Sequence, residues 1–443
     1  MDFIDHQTEL TELVQDILTE ANQQGADQAE VSISMDQGLG VRVRKGELEN
    51  LEFNQDRGFG ITLYFGQRKG SASTTDSSLD AIHDTVKAAK NIAKHTQEDE
   101  CSGLADKALM PIQAMDLDLY HPWNIEPEEA THLAIECEAA GLRLDDRLVN
   151  SDGAEVSTQQ GLRVYGNSHG FIGSYSGTRH SLSCVLIGED KNGMQRDYWY
   201  SLARQSNGLE SAIAVGEEAG RRTVSRLSPQ KAPTGNYPIL LSPQLASGLL
   251  GHLLGAIGGG AQYRKASFLL DSLGSLVLPT WMSLREDPHI LGSLGSAYFD
   301  DDGVSTRVNE FVAKGAVSGY ILSTYSARKL GMQTTGNAGG VHNLDIIAPQ
   351  TSHADLLKQM NTGLLVTELM GQGVNAVTGD YSRGASGFWV ENGEILYPVD
   401  ELTIAGNLKE MLLNIVAIGD DVDMRGNIRA PSILLDSMTI AGQ

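Results

Sequence analysis

Cysteine is scarce in this sequence, and long apolar runs are absent. The three cysteines, Cys101, Cys137 and Cys184, are scattered and form no CxxC pair. This pattern argues against a disulfide framework and fits a reducing cytosol. No uninterrupted apolar stretch approaches the roughly 20 residues that cross a bilayer. The opening MDFIDHQTELTELVQ has acidic residues and no apolar core, so it does not predict a signal peptide. We therefore expect a soluble cytoplasmic protein with no membrane partner.

Basic residues are also under-represented. The 443 residues include 33 Lys and Arg against 57 Asp and Glu, which gives a formal net charge of -24. Such a field repels phosphate backbones, so we expect no direct nucleic-acid partner. The length is typical of two to three domains with a substantial core.

Several catalytic signatures are missing. No histidine has another histidine four residues away, and none is followed by glutamate, so spacing alone identifies no zinc site. Neither a G-x-S-x-G elbow nor a GK[ST] phosphate loop occurs. YFDDDGVST, at 298–306, lacks the later ligand positions of a calcium loop, and we interpret it as a solvated acidic turn.

The elements that are present predict an α+β protein in three parts. Residues 1–115 and 116–230 each show helices and alternating strands, which predicts antiparallel sheet units with helices on one side. Residues 231–443 are rich in glycine and short apolar runs, which predicts a β-rich C-terminal domain. FNQDRGFG and YGNSHGFIG occupy similar places in the first two units, through either duplication or a shared hairpin solution. Turns in the first unit are predicted at Lys45-Gly46, Asp56-Arg57-Gly58 and Gly66.

The stretch SGLLGHLLGAIGGG, at 247–260, contains the single histidine His252 in an apolar, glycine-broken context. Such a histidine can be half of a metal site or a packed core residue, and the second reading is the commoner one. The glycine-rich loops at 258–264 and 336–340 can serve as tight turns, or they can bring the backbone close to a bound peptide.

Three long strings carry a family resemblance: GLLGHLLGAIGGGAQYRKASFLLDSLG, STYSARKLGMQTTGNAGGVHN and VTELMGQGVNAVTGDYSRGASGFWVENGEILYPVDELTIAGNLKEM. With the opening helix and the RKGELENLEFNQDRGFGITLYFGQRKGSAS hairpins, the chain resembles the TldD/PmbA family over essentially its whole length, and the PmbA (TldE) branch more closely. The resemblance implies a cytoplasmic peptidase system, also known as modulators of DNA gyrase, that acts on peptide precursors and unfolded or antitoxin-like substrates. It also implies a heterodimer of PmbA with TldD.

The same resemblance bears on zinc. The TldD branch has an H-E-x-x-x-H motif that falls on residues 247–252 here, where Ser247 and Gly248 replace the first histidine and the glutamate. Only His252 remains. The family's cysteine ligand falls in DDVDMRGNIRAPS, at 420–432, which has no thiol. The resemblance therefore implies no catalytic residue and no metal in this chain, with zinc in the partner subunit.

Our hypothesis from the sequence is a non-catalytic subunit that closes a peptidase chamber and helps to hold an extended peptide. Two alternatives stay open: a non-proteolytic modulator of gyrase or of a toxin-antitoxin pair, and an autonomous peptidase with ligands distant in sequence. Without its TldD-type partner the chain could form a homodimer. The residues predicted to line the chamber are His252, Tyr263, Arg264, Asn337, Asp380, Tyr381 and Arg383.

Overall fold

The computed structural model describes residues 5–442 and confirms the α+β class. The N-terminal half contains one large antiparallel sheet with helices on one face, and the half that starts at residue 235 is rich in strands. None of the helices in this part of the chain combines the length and the apolar character needed to cross a membrane.

The N-terminal sheet has six strands in the order β3-β2-β1-β4-β5-β6, and all neighbours are antiparallel. Strands β1–β6 are Gln28–Arg44, Glu47–Phe65, Arg68–Thr74, Leu148–Asn167, Ile172–Asp190 and Gly193–Ala203. Helices α1–α4 are Asp5–Gln23, Leu79–His95, Pro127–Leu142 and Ala212–Ser225. Strands β1 and β4 pair without interruption: Glu30 lies opposite Asn167 at one end, and Val43 lies opposite Ala154 at the other. The first two predicted units therefore share one continuous sheet.

The helices bury one face of this sheet in two adjoining cores. Helices α1 and α2 pack Val14, Ile17 and Val86 onto strand residues such as Ile33 and Ile61. Helices α3 and α4 cover the other end of the sheet, where Val41, Val156 and Cys184 are buried. This one-sided burial follows from the period-two alternation along each strand.

One predicted turn is wrong. Asp56-Arg57-Gly58 lies inside β2. This strand pairs with β1 in unbroken register, from Gln28 opposite Tyr64 to Arg42 opposite Asn50. The polar and glycine residues there belong to an exposed sheet surface and do not reverse the chain. The predicted turn at Lys45-Gly46 is confirmed, with φ of 56° and 76°, and so is the hairpin turn at Gly66, where Phe65 pairs with Arg68.

The C-terminal half contains two sheets and five helices. Strands β7–β17 are Gly235–Leu241, Ser283–Glu286, Asn309–Ala313, Ala316–Val317, Leu344–Ile347, Gly363–Met370, Asp380–Glu391, Glu394–Asn407, Ile415–Ile418, Ile428–Arg429 and Ile433–Ala441. Helices α5–α9 are Pro243–Ala256, Gly259–Tyr263, Thr324–Lys329, His353–Met360 and Leu408–Leu413. The sheet orders are β14-β13-β12-β7-β17-β15 and β10-β9-β8-β11-β16. Helix α5 contacts β12 of the first sheet and β16 of the second, so it lies between them.

The two halves meet through polar contacts beside the sheet face that the helices leave open. The Arg163 guanidinium lies 3.2 Å from the Asp301 carboxylate, and the Tyr165 hydroxyl donates to the Asp302 carbonyl at 3.1 Å. Further along, the Arg204 guanidinium donates to the Ser293 carbonyl at 3.0 Å. The loop at 299–302 thus forms a rim over the open face of the N-terminal sheet.

Candidate functional site

His252 lies on α5, which starts with Pro243 at its first turn and buries Leu249, Leu250 and Leu253 on one side. The imidazole packs edge-to-face on Tyr381 of β13, with ring centroids 6.2 Å apart. Arg383 follows two residues later on the same face of that strand. Burial, with the nearby Arg383 charge as a second cause, lowers the pKa of His252. The imidazole is therefore uncharged at neutral pH.

The residues around His252 do not fit a zinc ion. Ser247 donates its hydroxyl back to the Gln244 carbonyl at 2.9 Å, and Gly248 has no side chain. Burial raises the pKa of Tyr381, so its phenol stays protonated. A dication needs three or four anionic or imidazole donors, and the Arg383 charge opposes it. Throughout residues 5–442, no group of three His, Cys, Asp or Glu side chains is placed to hold a metal ion.

The segment at 420–432 does run beside α5, as the family resemblance implies. A Cβ atom at Gly251 would lie 3.9 Å from the Ile428 side chain of β16. In the same segment, the Arg425 guanidinium lies 4.4 Å from the Trp199 ring centroid and 4.2 Å from that of Tyr200, and the Asp423 carboxylate lies 2.8 Å from it. The segment therefore lies near α5, and the Arg425 side chain within it is engaged by residues of β6.

The other predicted chamber residues lie apart from the His252 cluster. Tyr263 packs edge-to-face on Tyr325 at 5.8 Å, and the Arg264 guanidinium lies over the Tyr263 ring at 5.3 Å. Asp380 is exposed and accepts a hydrogen bond from Thr378 at 2.7 Å. The structure thus brings together His252, Tyr381 and Arg383, and it places Tyr263 with Arg264 in a second cluster. A chamber-lining role for any of them stays a prediction.

Asn337 is buried and engaged in the core of the C-terminal half. Its amide donates to both oxygens of Glu286, at 2.8 and 3.1 Å, and to the Gly340 carbonyl at 3.0 Å. Burial raises the pKa of Glu286, while hydrogen bonds from Asn309, the His342 backbone and Asn337 act in the opposite direction. Asn337 therefore satisfies a buried carboxyl group.

Sequence reasoning missed a large polar groove on the open face of the N-terminal sheet. Three cavities, of about 750, 410 and 860 Å³, adjoin there. Ser32 and Gly60 line both the 750 and the 410 Å³ cavity, and Glu30 and Lys69 line both the 410 and the 860 Å³ cavity. We call the continuous space the sheet groove. Tyr325 lines its far end, so the cluster of Tyr263 and Arg264 lies one contact away.

Strand register explains the open floor of the sheet groove. Ser32 pairs with Gly60 and Ser34 with Gly58 across β1 and β2, and Gly60 pairs with Ser73 on β3. A Cβ atom at Gly60 would lie 2.9 Å from the Ser32 hydroxyl, so even alanine would enter the groove. No register shift occurs at these glycines. Glycine inside a regular strand often marks a place where a ligand or another backbone comes close.

The walls of the sheet groove carry the ionisable groups. Glu30 accepts hydrogen bonds from the hydroxyls of Tyr64 at 2.8 Å and Tyr165 at 3.0 Å, and burial raises the pKa of Glu30. Asp300 in the rim is buried, in contrast to the solvated turn expected there. Burial, with a smaller effect from Asp302, raises the pKa of Asp300 to about 7. The floor of the groove is therefore made of uncharged polar residues and glycines, and the ionisable groups lie on its walls and rim.

The comparisons with known proteins agree with this architecture. Models of the PmbA/TldA metallopeptidase domain 1, central domain and C-terminal domain match residues 29–93, 120–227 and 234–442. The chain belongs to the PmbA/TldD metallopeptidase family.

Relatives of this family match over nearly the full length. The chain is 51% identical over 418 residues to metalloprotease PmbA of Escherichia coli O157:H7, covering 94% of this chain and 93% of that protein. It is 50% identical over 436 residues to the metalloprotease PmbA homolog of Haemophilus influenzae, covering 98% and 96%. A crystal structure from Bacteroides thetaiotaomicron, described as a candidate modulator of a DNA gyrase, matches with a TM-score of 0.92 at 27% identity, covering 98% and 99%.

Proposed function

We propose that this chain is the non-catalytic subunit of a cytoplasmic zinc peptidase of the PmbA/TldD type, paired with a TldD-type subunit that holds the zinc. The observation that carries the proposal is the donor set on α5. Where the family motif supplies two histidines and a glutamate, this chain has Ser247, Gly248 and a single neutral imidazole beside Arg383. One imidazole next to a guanidinium neither holds a dication nor replaces the carboxylate that activates water.

The sheet groove supports a role in holding substrate. Its floor is made of small residues and hydroxyl groups, and a hydroxyl can either donate to a peptide carbonyl or accept from a peptide N–H. Such a surface binds an extended main chain with little dependence on sequence. A folded protein would not fit, because its backbone groups are already paired with one another. The proposed substrates are therefore unstructured polypeptides.

A mixing experiment tests the proposal. Zinc content and cleavage of a reduced, alkylated protein are measured for this chain alone, for a TldD-type subunit of the same organism alone, and for the equimolar mixture. We expect negligible zinc and no cleavage in this chain, and strong cleavage in the mixture. The same protein with its disulfides intact serves as a folded control and should remain uncut.

Two outcomes contradict the proposal. Stoichiometric zinc and cleavage by the isolated chain would establish an autonomous peptidase. A mixture no more active than the TldD-type subunit would favour a non-proteolytic modulator.

His252→Ala gives a second test. Because the proposal assigns no ligand or base to this imidazole, the mixture with the variant should keep its zinc content and a kcat within about twofold of native, while the loss of a chamber contact would change KM. Loss of a zinc ligand would reduce activity by orders of magnitude. Atomic absorption and initial rates of the variant mixture distinguish the two, and a large loss of both would refute the assignment.

A further inference from the structure

The outer half of β2 extends beyond the helices that cover the rest of the N-terminal sheet. Leu48, Leu51 and Phe53 are 50%, 48% and 62% exposed, although they face the same side as the buried Val41 and Val43 of β1. Burial falls across the row Val156–Val41–Leu51, because α3 packs mainly on β4 and β1 and only marginally on β2. We call the segment of residues 47–56, which carries these three exposed side chains, the β2 shelf. The apolar core thus ends in an uncovered margin.

The β2 shelf is also an open hydrogen-bonding edge. Strand β3 pairs only with Phe59–Phe65 of β2, and no other strand within residues 5–442 pairs with this edge. An unpaired edge with exposed apolar side chains promotes aggregation unless charged side chains or another chain protect it. Its geometry is held in place, since the buried Glu138 of α3 accepts from the Lys45 and Gly46 backbone N–H groups at 2.8 and 2.7 Å.

A pocket adjoins the β2 shelf. Leu39, Phe53, Trp123, Glu126 and Thr158 are among the residues that line its roughly 240 Å³. The Thr158 hydroxyl is buried there without a hydrogen-bond partner among the described residues. The apolar walls and the Glu126 carboxylate suit a long side chain with an apolar stem and a positively charged head.

Charge identifies the kind of chain that fits this edge. Residues 47–56 include four carboxylates, at Glu47, Glu49, Glu52 and Asp56, and no Lys or Arg. Glu49 is paired with Arg42 and Arg44 of β1, so a second copy would bring the other three negative charges to the interface, on top of a net charge of -24 in each chain. Like charges placed opposite one another across strands are destabilising. The edge therefore disfavours pairing with itself and favours a basic strand.

We propose that the β2 shelf docks a strand of a different polypeptide that presents apolar side chains to Leu48, Leu51 and Phe53 and Lys or Arg to the acidic edge. The inference deepens the proposed function, on which the partner's identity as the TldD-type subunit rests. Strand addition of this kind supplies main-chain hydrogen bonds for affinity and side-chain pockets for specificity.

The experiment compares binding of the TldD-type subunit to matched variants by calorimetry. Leu51→Asp and the charge reversal Glu47→Lys with Glu52→Lys should each weaken binding about tenfold or more, as loss of a central apolar or charged contact does. The control for Leu51→Asp is Leu79→Asp, which alters a leucine that is 74% exposed on α2. The control for the charge reversal is Glu12→Lys with Asp16→Lys on α1, which changes the net charge by the same amount as Glu47→Lys with Glu52→Lys. Both controls should stay within about twofold of the native affinity.

Hydrogen exchange and cleavage complete the test. Amides of residues 47–56 in the native chain should become protected in the complex, and this readout requires no variant to fold. The inference would be overturned if Leu51→Asp bound the TldD-type subunit with native affinity, or if the amides of residues 47–56 stayed unprotected in the complex. It would also be overturned if the native chain formed a homodimer that Leu51→Asp dissociates. Cleavage that persists in a Leu51→Asp mixture of native affinity would leave the proposed function intact. If Leu51→Asp lost binding to the TldD-type subunit and the native mixture showed no cleavage, the result would support the docking edge and reject the proposed function.

Discussion

Gly60→Phe is expected to lower kcat/KM for unstructured polypeptides in the mixture with a TldD-type subunit by about tenfold or more, chiefly through KM. The position is at the centre of the sheet groove, where Ser32 and Ser73 flank it on the neighbouring strands. An aromatic ring there would occupy the space between two rows of hydroxyls. Since the groove contains no reacting groups in the proposal, losing it removes binding to substrate and transition state alike, which raises KM and leaves kcat unchanged.

Gly40→Phe is the matched control for this prediction. Gly40 lies further along the same strand pair, opposite Glu52, and a Cβ atom there would meet no atom within 4 Å. It does not line any of the three cavities that form the sheet groove. Both variants add the same ring to a regular strand, so a general effect on sheet stability would appear in each. Equal kinetics of Gly60→Phe and the native chain would show that substrate does not occupy the groove.

Features governed by nearby residues could be predicted from the sequence. Helix α2 follows from Ser78, whose hydroxyl caps the Ala81 N–H, and from apolar residues at helical spacing such as Ile82, Val86 and Ala89. The turn at Lys45-Gly46 follows from a glycine that adopts positive φ at little steric cost. Each of these signals is complete within about ten residues of chain.

Features that depend on long-range register could not be predicted. The groove floor exists because Ser32, Gly60 and Ser73 pair across three strands, and no single strand shows it. The Asp56-Arg57-Gly58 error has the same origin, since composition alone does not separate a turn from an exposed stretch of a long strand. The buried Asp300 carboxylate accepts hydrogen bonds from the N–H groups of Val304 and Ala338, and Ala338 is distant from it in sequence.

The surroundings of His252 show the same division. The family resemblance identified the donors that are missing near it in sequence, at Ser247 and Gly248. It could not supply the Arg383 charge or the Tyr381 ring, which come from β13, 129 or more residues later. Of the two, the Arg383 charge opposes the binding of a cation. The residues Ser247 and Gly248 at the motif positions can be read from the local sequence, whereas the positive charge beside the imidazole is a property of the fold.

Asn337→Asp should destabilise the native state by about 3–5 kcal/mol at neutral pH, the range for disrupting a buried polar pair. The substitution is nearly isosteric. It replaces an amide that donates to both Glu286 oxygens with a carboxylate that cannot donate, and it places two like charges about 3 Å apart. Glu286 would keep the Asn309 amide and the His342 N–H as donors. Urea unfolding followed by circular dichroism gives the free-energy difference.

The pH dependence distinguishes charge repulsion from lost packing. Two carboxyls that share a site hold one proton above its ordinary pKa, so the folded variant binds an extra proton between about pH 4 and neutrality. The variant should therefore gain stability relative to the native chain as pH falls, because that proton restores one donor between the two groups. Asn22→Asp, on the exposed side of α1, is the control, and its stability should stay within about 1 kcal/mol of native at both ends of this range, the cost of a negative charge in the last helical turn. A penalty for Asn337→Asp that is constant with pH would mean that cavity or shape effects, and no carboxylate pair, account for the loss.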